Sequence, residues 1–284
     1  MITIEKLNFD YKKKKLFKDL SLDLKHGSIY GLLGKNGAGK TTFLKILAGL
    51  IFPESGEISV LGFTPAERNP DFLKELFFLP EEYTLPGIKA GEYKKIYAPF
   101  YPDFDEERFF ELISEFNLPE DSKLSNFSYG QKKKFLLSFG IASNSRILLL
   151  DEPTNGLDIP TKTRFRKIVA SSQSNERIII ISTHQVRDVE HLIDPVLILD
   201  EGRIIFNETM DRVADILTVE KVSSLSDTAD ILYSENEIDG YKVVVKNRDR
   251  DQNAIDFETL FNAVITNPHG IQSAFNGGSP NETK

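Results

Sequence analysis

One octapeptide constrains this chain more than any other feature. Gly34-Lys35-Asn36-Gly37-Ala38-Gly39-Lys40-Thr41 fits the spacing G-x-x-x-x-G-K-[ST], and it lies between a continuous apolar stretch over 28–33 and a helical pattern over 42–50. A strand that runs through a glycine-rich turn into a helix is the local geometry of a phosphate-binding loop. The glycines let consecutive backbone N–H groups converge on phosphate oxygens, and the start of the helix adds positive potential. In such a loop Lys40 reaches the β- and γ-phosphates and Thr41 offers its hydroxyl to Mg²⁺. Gly34, Lys35, Asn36, Gly37, Ala38, Gly39, Lys40, Thr41 and the adjoining Thr42 are therefore candidate nucleotide-binding residues. The alternative, a glycine-rich strand-to-helix turn that binds nothing, does not account for the full spacing in this context.

The rest of the sequence supplies the sheet that such a loop requires. Short apolar runs bounded by Gly and Pro alternate with helical patterns, which predicts an α/β fold with a parallel sheet flanked by helices. Residues 2–4 and 20–24 alternate with period two and predict an antiparallel ribbon, while 147–150 and 177–182 read as core strands and 196–206 as a hairpin. From about 85 to 145 the pattern is largely helical. Asp105-Glu106-Glu107-Arg108 leads into Phe109, Phe110, Leu112, Ile113 and Phe116 at helical spacing, with acidic residues against the positive helix start. This region reads as an insertion into the core. A first domain is expected over 1–215 and a small C-terminal α+β extension over 216–284, containing a strand at 241–245, a charged turn at 246–251 and an amphipathic segment at 256–264. The polar, turn-rich stretch 276–284 is expected to be disordered, and no internal repeat is visible.

A second motif lies further along. Ile147-Leu148-Leu149-Leu150-Asp151-Glu152 is an apolar strand ending in two carboxylates, which puts both at the carboxyl edge of the sheet, where the phosphate loop also emerges. There Asp151 is expected to hold Mg²⁺ through water, and Glu152 to polarise an attacking water, because hydrolysis of a γ-phosphate needs a positioned base more than covalent chemistry.

In order, these motifs are similar to those of nucleotide-binding subunits of the ATP-binding cassette (ABC) superfamily, over roughly residues 1–215. Phe127-Ser128-Tyr129-Gly130-Gln131 stands where that family has its Leu-Ser-Gly-Gly-Gln signature, at the start of a helix about twenty residues before the acidic strand end. The resemblance implies that Ser128 and Gly130 contact the γ-phosphate bound on an opposite subunit, with Gln131 beside them. Asn155-Gly156-Leu157-Asp158 resembles the loop that communicates across the dimer, which brings Asp158 to the nucleotide. His184 resembles the switch histidine at the γ-phosphate, and Tyr11 the aromatic that stacks on adenine. The implied catalytic set is Lys40, Glu152 and His184, and the implied Mg²⁺ ligands are Thr41, Asp151 and Glu81.

Two positions depart from the family pattern. Glu81, in Leu79-Pro80-Glu81-Glu82, replaces a glutamine that contacts Mg²⁺ and relays to the membrane partner, and Tyr129 replaces the first glycine of the signature. The resemblance implies a P-loop NTPase core with a mixed sheet, an antiparallel N-terminal β-subdomain and an inserted helical subdomain. It also implies ATP and Mg²⁺ as cofactors, and as partners a second ABC subunit, identical or different, and separate transmembrane permease subunits. The function implied is ATP-driven dimer closure powering a transporter. Glu81 after Leu-Pro, the helix beginning near Asp105 and the segment 256–261 are similar to bacterial exporter-type subunits, which implies export. The competing reading is a soluble ABC ATPase acting on a ribosome or on DNA, but such proteins usually carry two cassettes or a long coiled coil, and no sustained heptads occur here.

Composition narrows the classes further. At 284 residues the chain is long enough for about two domains and a substantial core without staples. It contains no cysteine, which removes thiol nucleophiles, thiolate metal sites and disulfides. The net charge of −8 disfavours a dedicated nucleic-acid binder. Lys12–Lys15 and Lys132–Lys134 are expected to be a solvated turn and a solvated helix face, and His26, His191 and His269 show no metal-ligand spacing. The N-terminus has no signal-like pattern and no apolar run approaches the roughly 20 residues that span a bilayer. The expected location is therefore cytoplasmic, and the family resemblance implies a peripheral place on the inner face of the membrane through the permease.

Overall fold

A computed structural model describes residues 1–11, 14–247 and 255–276. The chain opens with β1 (Ile2–Tyr11), β2 (Lys14–Leu24) and β3 (Ser28–Leu33), then α1 (Lys40–Leu47), β4 (Ser55–Val60), α2 (Pro70–Lys74) and β5 (Leu76–Leu79). Three helices follow, α3 (Ala90–Tyr97), α4 (Glu106–Glu115) and α5 (Tyr129–Ala142). The core resumes with β6 (Ile147–Asp151), α6 (Ile159–Ser171), β7 (Ile178–Thr183), β8 (Val196–Asp200), β9 (Arg203–Glu208) and α7 (Met210–Ile216). Beyond it lie β10 (Leu217–Val222), β11 (Tyr233–Glu237), β12 (Gly240–Lys246), α8 (Phe257–Thr266) and α9 (Pro268–Asn276).

Among the described residues the central sheet has the order β5-β6-β7-β3-β8-β9, with the first five strands parallel and β9 closing the edge antiparallel to β8. β7 shows why these sequences become strands. Ile178 and Ile180 point into one apolar cluster and Ile179 and Ile181 into the other, all fully buried, as the period of two requires for a strand covered on both faces. Burying each such side chain contributes about 1.5–3 kcal/mol, so the two clusters hold the register of the central strands. One cluster joins the sheet to α1 and to the antiparallel sheet β2-β1-β4, and the other joins it to α4, α5 and α6.

The helical region expected over 85–145 is α3, α4 and α5, inserted between β5 and β6. It is anchored through aromatic rings around Phe139, which lies 5.0 Å from Phe104, 5.3 Å from Tyr93 and 6.1 Å from Phe77 of β5. Gly140 lets α5 approach that strand, since a Cβ there would lie 2.4 Å from ring carbons of Phe77. Gly140→Ala should therefore overpack the contact by about 1–3 kcal/mol, beyond the roughly 1 kcal/mol that alanine gains in a helix. A lower urea midpoint at unchanged slope would report it.

The phosphate-loop helix differs from the 42–50 read from the pattern. It starts at Lys40, inside the octapeptide, and stops at Leu47, because Gly49 takes a φ of +66° and its N–H turns back to the carbonyl of Ile46. β7 likewise begins one residue later than expected, since the Arg177 N–H turns back to the Ser174 carbonyl (3.1 Å), while the Arg177 guanidinium donates to the carbonyls of Ser145 (2.9 Å) and Ser172 (2.7 Å).

β10, β12 and β11 form a three-stranded antiparallel sheet, which with α8 and α9 makes up the C-terminal part of the chain. Leu260 and Ala263 of α8 share an apolar cluster with Val186, Val189 and Ile198, so the packing runs across the α7–β10 junction. The charged turn read at 246–251 and the tail read at 276–284 fall mostly outside the described residues, as do Lys12 and Lys13 of the first lysine run. No helix among the described residues is long and apolar enough to cross a membrane.

Candidate active site

The register of the parallel strands sets the site. Leu32 pairs with Ser182 and Ser182 with Asp151, so β3, β7 and β6 end in one row, and the loops carrying Gly34, Glu152 and His184 leave the sheet at the same level. Tyr11, Leu16, Asn36, Gly37, Gly39, Lys40, Thr41, Thr42, Glu81, Glu152 and His184 line a single open cleft of about 590 Å³.

Inside the loop, Gly39 sits at a φ of +110°, and a Cβ there would press to 3.0 Å on the ring of Phe17. That conformation starts α1 at Lys40 and aims the lysine back through the loop. Its Nζ donates to the carbonyls of Gly34 (2.8 Å) and Lys35 (3.3 Å) and lies 3.8 Å from Glu152 Oε1. Burial pushes the Lys40 ammonium below its ordinary pKa, against the opposing pull of Glu152, Asp151 and Glu81.

The two carboxylates divide their oxygens. Glu152 Oε1 is 2.8 Å from His184 Nδ1 and faces Lys40, whereas Glu152 Oε2 is buried and, among the described residues, accepts no hydrogen bond. Asp151 Oδ1 accepts from the Ser182 hydroxyl at 2.5 Å, and Asp151 Oδ2 is likewise buried without a partner among the described residues. Buried acceptors left unpaired are costly, and two of them within electrostatic reach of Lys40 suit a divalent cation and a water. Among the described residues no group of three or more His, Cys, Asp or Glu could hold a metal on its own. This donor set fits Mg²⁺, which typically binds one or two carboxylates and completes its shell with phosphates and water.

The remaining expected residues lie elsewhere. Gly34, Lys35, Ala38 and the fully buried Asp151 are not among the residues lining the cleft, and within the loop the Ala38 N–H donates to the Lys35 carbonyl. Ser128 caps α5, its hydroxyl accepting from the Gln131 N–H at 3.2 Å while Gln131 Oε1 accepts from the Ser128 N–H at 2.9 Å. Gly130 packs against Gly156, and Asp158 caps α6 through the Thr161 N–H. Ser128, Gly130, Gln131 and Asp158 are not among the residues lining the cleft.

One reading is corrected. Lys132–Lys134 is not wholly a solvated face: Lys133 is only 1% exposed, and its Nζ donates to the carbonyls of Glu152 (2.7 Å) and Asn155 (3.1 Å). Burial pushes Lys133 down to about 8, against the opposing pull of Glu81, Glu152 and Asp151. The two departures from the family pattern also meet. The Tyr129 hydroxyl donates to the Glu81 carbonyl at 3.0 Å, and Asn155 Nδ2 donates to Glu81 Oε1 at 3.3 Å. Leu16, in the cleft wall beside Tyr11, carries no sequence signal, whereas the burial of Lys133 is foreshadowed by its place one helical turn from Leu136 and Leu137.

Comparison with known proteins agrees with this geometry. A family model described as ABC transporter matches residues 17–155. The chain is 31% identical over 214 residues to a lantibiotic transport ATP-binding protein, SrtF of Streptococcus pyogenes, covering 74% of this chain and 92% of that one. It is 32% identical over 210 residues to an uncharacterized ABC transporter ATP-binding protein, YdbJ of Bacillus subtilis, covering 72% and 68%. A solved structure of an ATP-binding subunit of an ABC transporter superposes with a TM-score of 0.68 at 25% identity, covering 75% of this chain and 91% of that one.

Proposed function

The chain belongs to the ABC transporter family as an ATP-binding subunit, and from that premise we propose that it pairs with a second such subunit and drives a separate membrane-spanning permease by hydrolysing ATP, in the direction of export. The observation that carries the reading is the convergence of Lys40, Thr41, Glu152 and His184 on one cleft at the carboxyl edge of the sheet. The protein is an ATPase, and in this reading each residue has a part. The phosphate loop and Lys40 hold the β- and γ-phosphates, and Tyr11 offers its ring to the base. Bound Mg²⁺ would neutralise charge on the phosphates, with Thr41, Asp151 and Glu81 as the residues to hold it. Glu152 Oε2 accepts the proton of the attacking water while His184 fixes the other oxygen.

Pairing is what the family resemblance implies, and it accounts for where α5 starts. Ser128 and Gly130, at the start of the 14-residue α5, do not line their own subunit's cleft, and in this reading a second subunit delivers its α5 N-terminus to the γ-phosphate. ATP bridging both subunits then binds the closed pair better than the open one, and hydrolysis releases it. The likeness to SrtF, whose name describes lantibiotic transport, supports a transport role, and the direction of export rests on the similarity of Glu81 after Leu-Pro, the helix beginning near Asp105 and the segment 256–261 to bacterial exporter-type subunits. The subunit would sit on the cytoplasmic face of the membrane, held there by the permease.

A second cleft, of about 600 Å³, is suited to the permease. Leu50, Leu73, Phe78, Tyr97, Phe100 and Tyr101 line it between the end of α1 and the helical insertion, and Leu50 and Phe100 are 48% and 65% exposed. An apolar groove of that size accepts the apolar face of a partner helix. Tagged protein isolated in mild detergent should bring down a multi-spanning membrane protein, and Phe100→Asp should lose it at unchanged ATP affinity. Ribosomal or DNA-associated proteins in place of a membrane protein would overturn the transporter reading.

A further inference from the structure

The turn that presents Glu152 is strained and needs support. Glu152 has a φ of +46°, the left-handed region that costs a non-glycine residue about 1–3 kcal/mol unless its surroundings fix it. On one side the Glu152 N–H donates to the carbonyl of Ser182 (3.1 Å) and its hydroxyl (3.2 Å), both on β7. On the other side, among the described residues, the Glu152 carbonyl meets one side chain, Lys133, at 2.7 Å. The same ammonium takes the Asn155 carbonyl at 3.1 Å, so it bridges both ends of the turn 152–155, whose own backbone closes through the Asn155 N–H to the Glu152 carbonyl at 3.3 Å.

Lys133 lies one turn inside α5, the helix that Ser128 caps, and its Nζ is 4.9 Å from the ring centroid of Tyr129. Tyr129 in turn donates to the Glu81 carbonyl and stacks on Tyr83, with ring centroids 6.0 Å apart. The turn is thus tied to the helix start that would address another subunit's nucleotide, and through Tyr129 and Asn155 to the loop carrying Glu81. From this geometry we propose that Lys133 is a positioning residue for ATP hydrolysis: it fixes the backbone of the 152–155 turn so that the Glu152 carboxylate is held in place, and it couples that turn to the start of α5. The inference rests on the reading of Glu152 as the base.

The test is the split between ATP binding and turnover in Lys133→Met and Lys133→Gln. Methionine matches the length of the stem and removes the donors, while glutamine keeps a shorter, neutral donor. Loosening the turn by about an ångström should lower kcat by roughly 30- to 100-fold in Lys133→Met, and by roughly three- to ten-fold in Lys133→Gln, with ATP affinity unchanged in both. A wild-type kcat in Lys133→Met overturns the proposal, and so does a loss of ATP affinity that parallels the loss of kcat in both variants. If Lys133→Met does not fold, Lys133→Gln decides alone: the same partial loss of kcat at unchanged affinity supports the proposal, and a wild-type kcat or a matching loss of affinity overturns it. Glu152→Gln measured alongside separates the two readings. Full turnover in Glu152→Gln removes the base assignment, whereas a silent Glu152→Gln beside a fully active Lys133→Met removes only the role of Lys133.

Discussion

Glu152→Gln is expected to bind ATP with near wild-type affinity and to hydrolyse it at least on the order of a hundred-fold more slowly. The division of labour between the two carboxylate oxygens is the reason. Oε1 is committed to His184 and faces Lys40, which leaves Oε2, buried and without a partner, as the atom free to take a proton from water. An amide has one acceptor oxygen. If that oxygen stays with His184 and Lys40, an NH₂ group stands where Oε2 was and donates where the reaction needs an acceptor. If closure depends on binding and opening on hydrolysis, as proposed, the variant should also accumulate as a closed dimer at saturating ATP and Mg²⁺, measured by sedimentation or size exclusion with light scattering. A Glu152→Gln protein that stays monomeric under those conditions in the presence of its partner subunit would rule out the paired mechanism.

Lys40→Ala is expected to fail differently, losing affinity and turnover together. Removing a preorganised cation from a developing phosphate charge costs on the order of a hundred-fold or more in rate. The structure adds two further losses. The ammonium also ties the loop to itself through the carbonyls of Gly34 and Lys35, and it is the one cation in ion-pair contact with Glu152 among the described residues other than the ring of His184. Without it the loop loosens and a carboxylate only 4% exposed loses its partner, so destabilisation should accompany the kinetic defect. Equilibrium binding of a fluorescent nucleotide and a phosphate-release assay read the two effects separately, and undiminished turnover would remove the phosphate-loop assignment.

Those two variants test residues legible in the sequence, because their chemistry is written in side-chain type and spacing. A glycine-rich loop between strand and helix and two carboxylates after an apolar strand each require particular residues, and parallel pairing brings their ends to one edge. The complete burial of Ile178 to Ile181 was equally readable, since a strand covered on both faces must be apolar throughout. Lys133 was not. Its neighbours in sequence are two more lysines, so the run has the composition of a solvated face, and its partners are main-chain carbonyls that no residue type announces. The contact between Tyr129 and Glu81, 48 residues apart, was hidden for the same reason: each reads alone as a departure from a pattern, and only the packing of α5 against the loop after β5 joins them. The stop of α1 after Leu47 turned on the backbone freedom of Gly49, which outweighed an apolar pattern that continued to Leu50.

The common row formed by Leu32, Ser182 and Asp151 bears on which changes in length this chain can accept. One residue added to or removed from β3, β6 or β7 would slide a loop by about 3.3 Å along the sheet and exchange the two faces of everything beyond the change. Both faces are packed, so neither shift can be absorbed. Descendants of this sequence are therefore free to lengthen or shorten at surface turns such as the β11–β12 hairpin, whose Ile238 is fully exposed, while the three central strands diverge only by substitution.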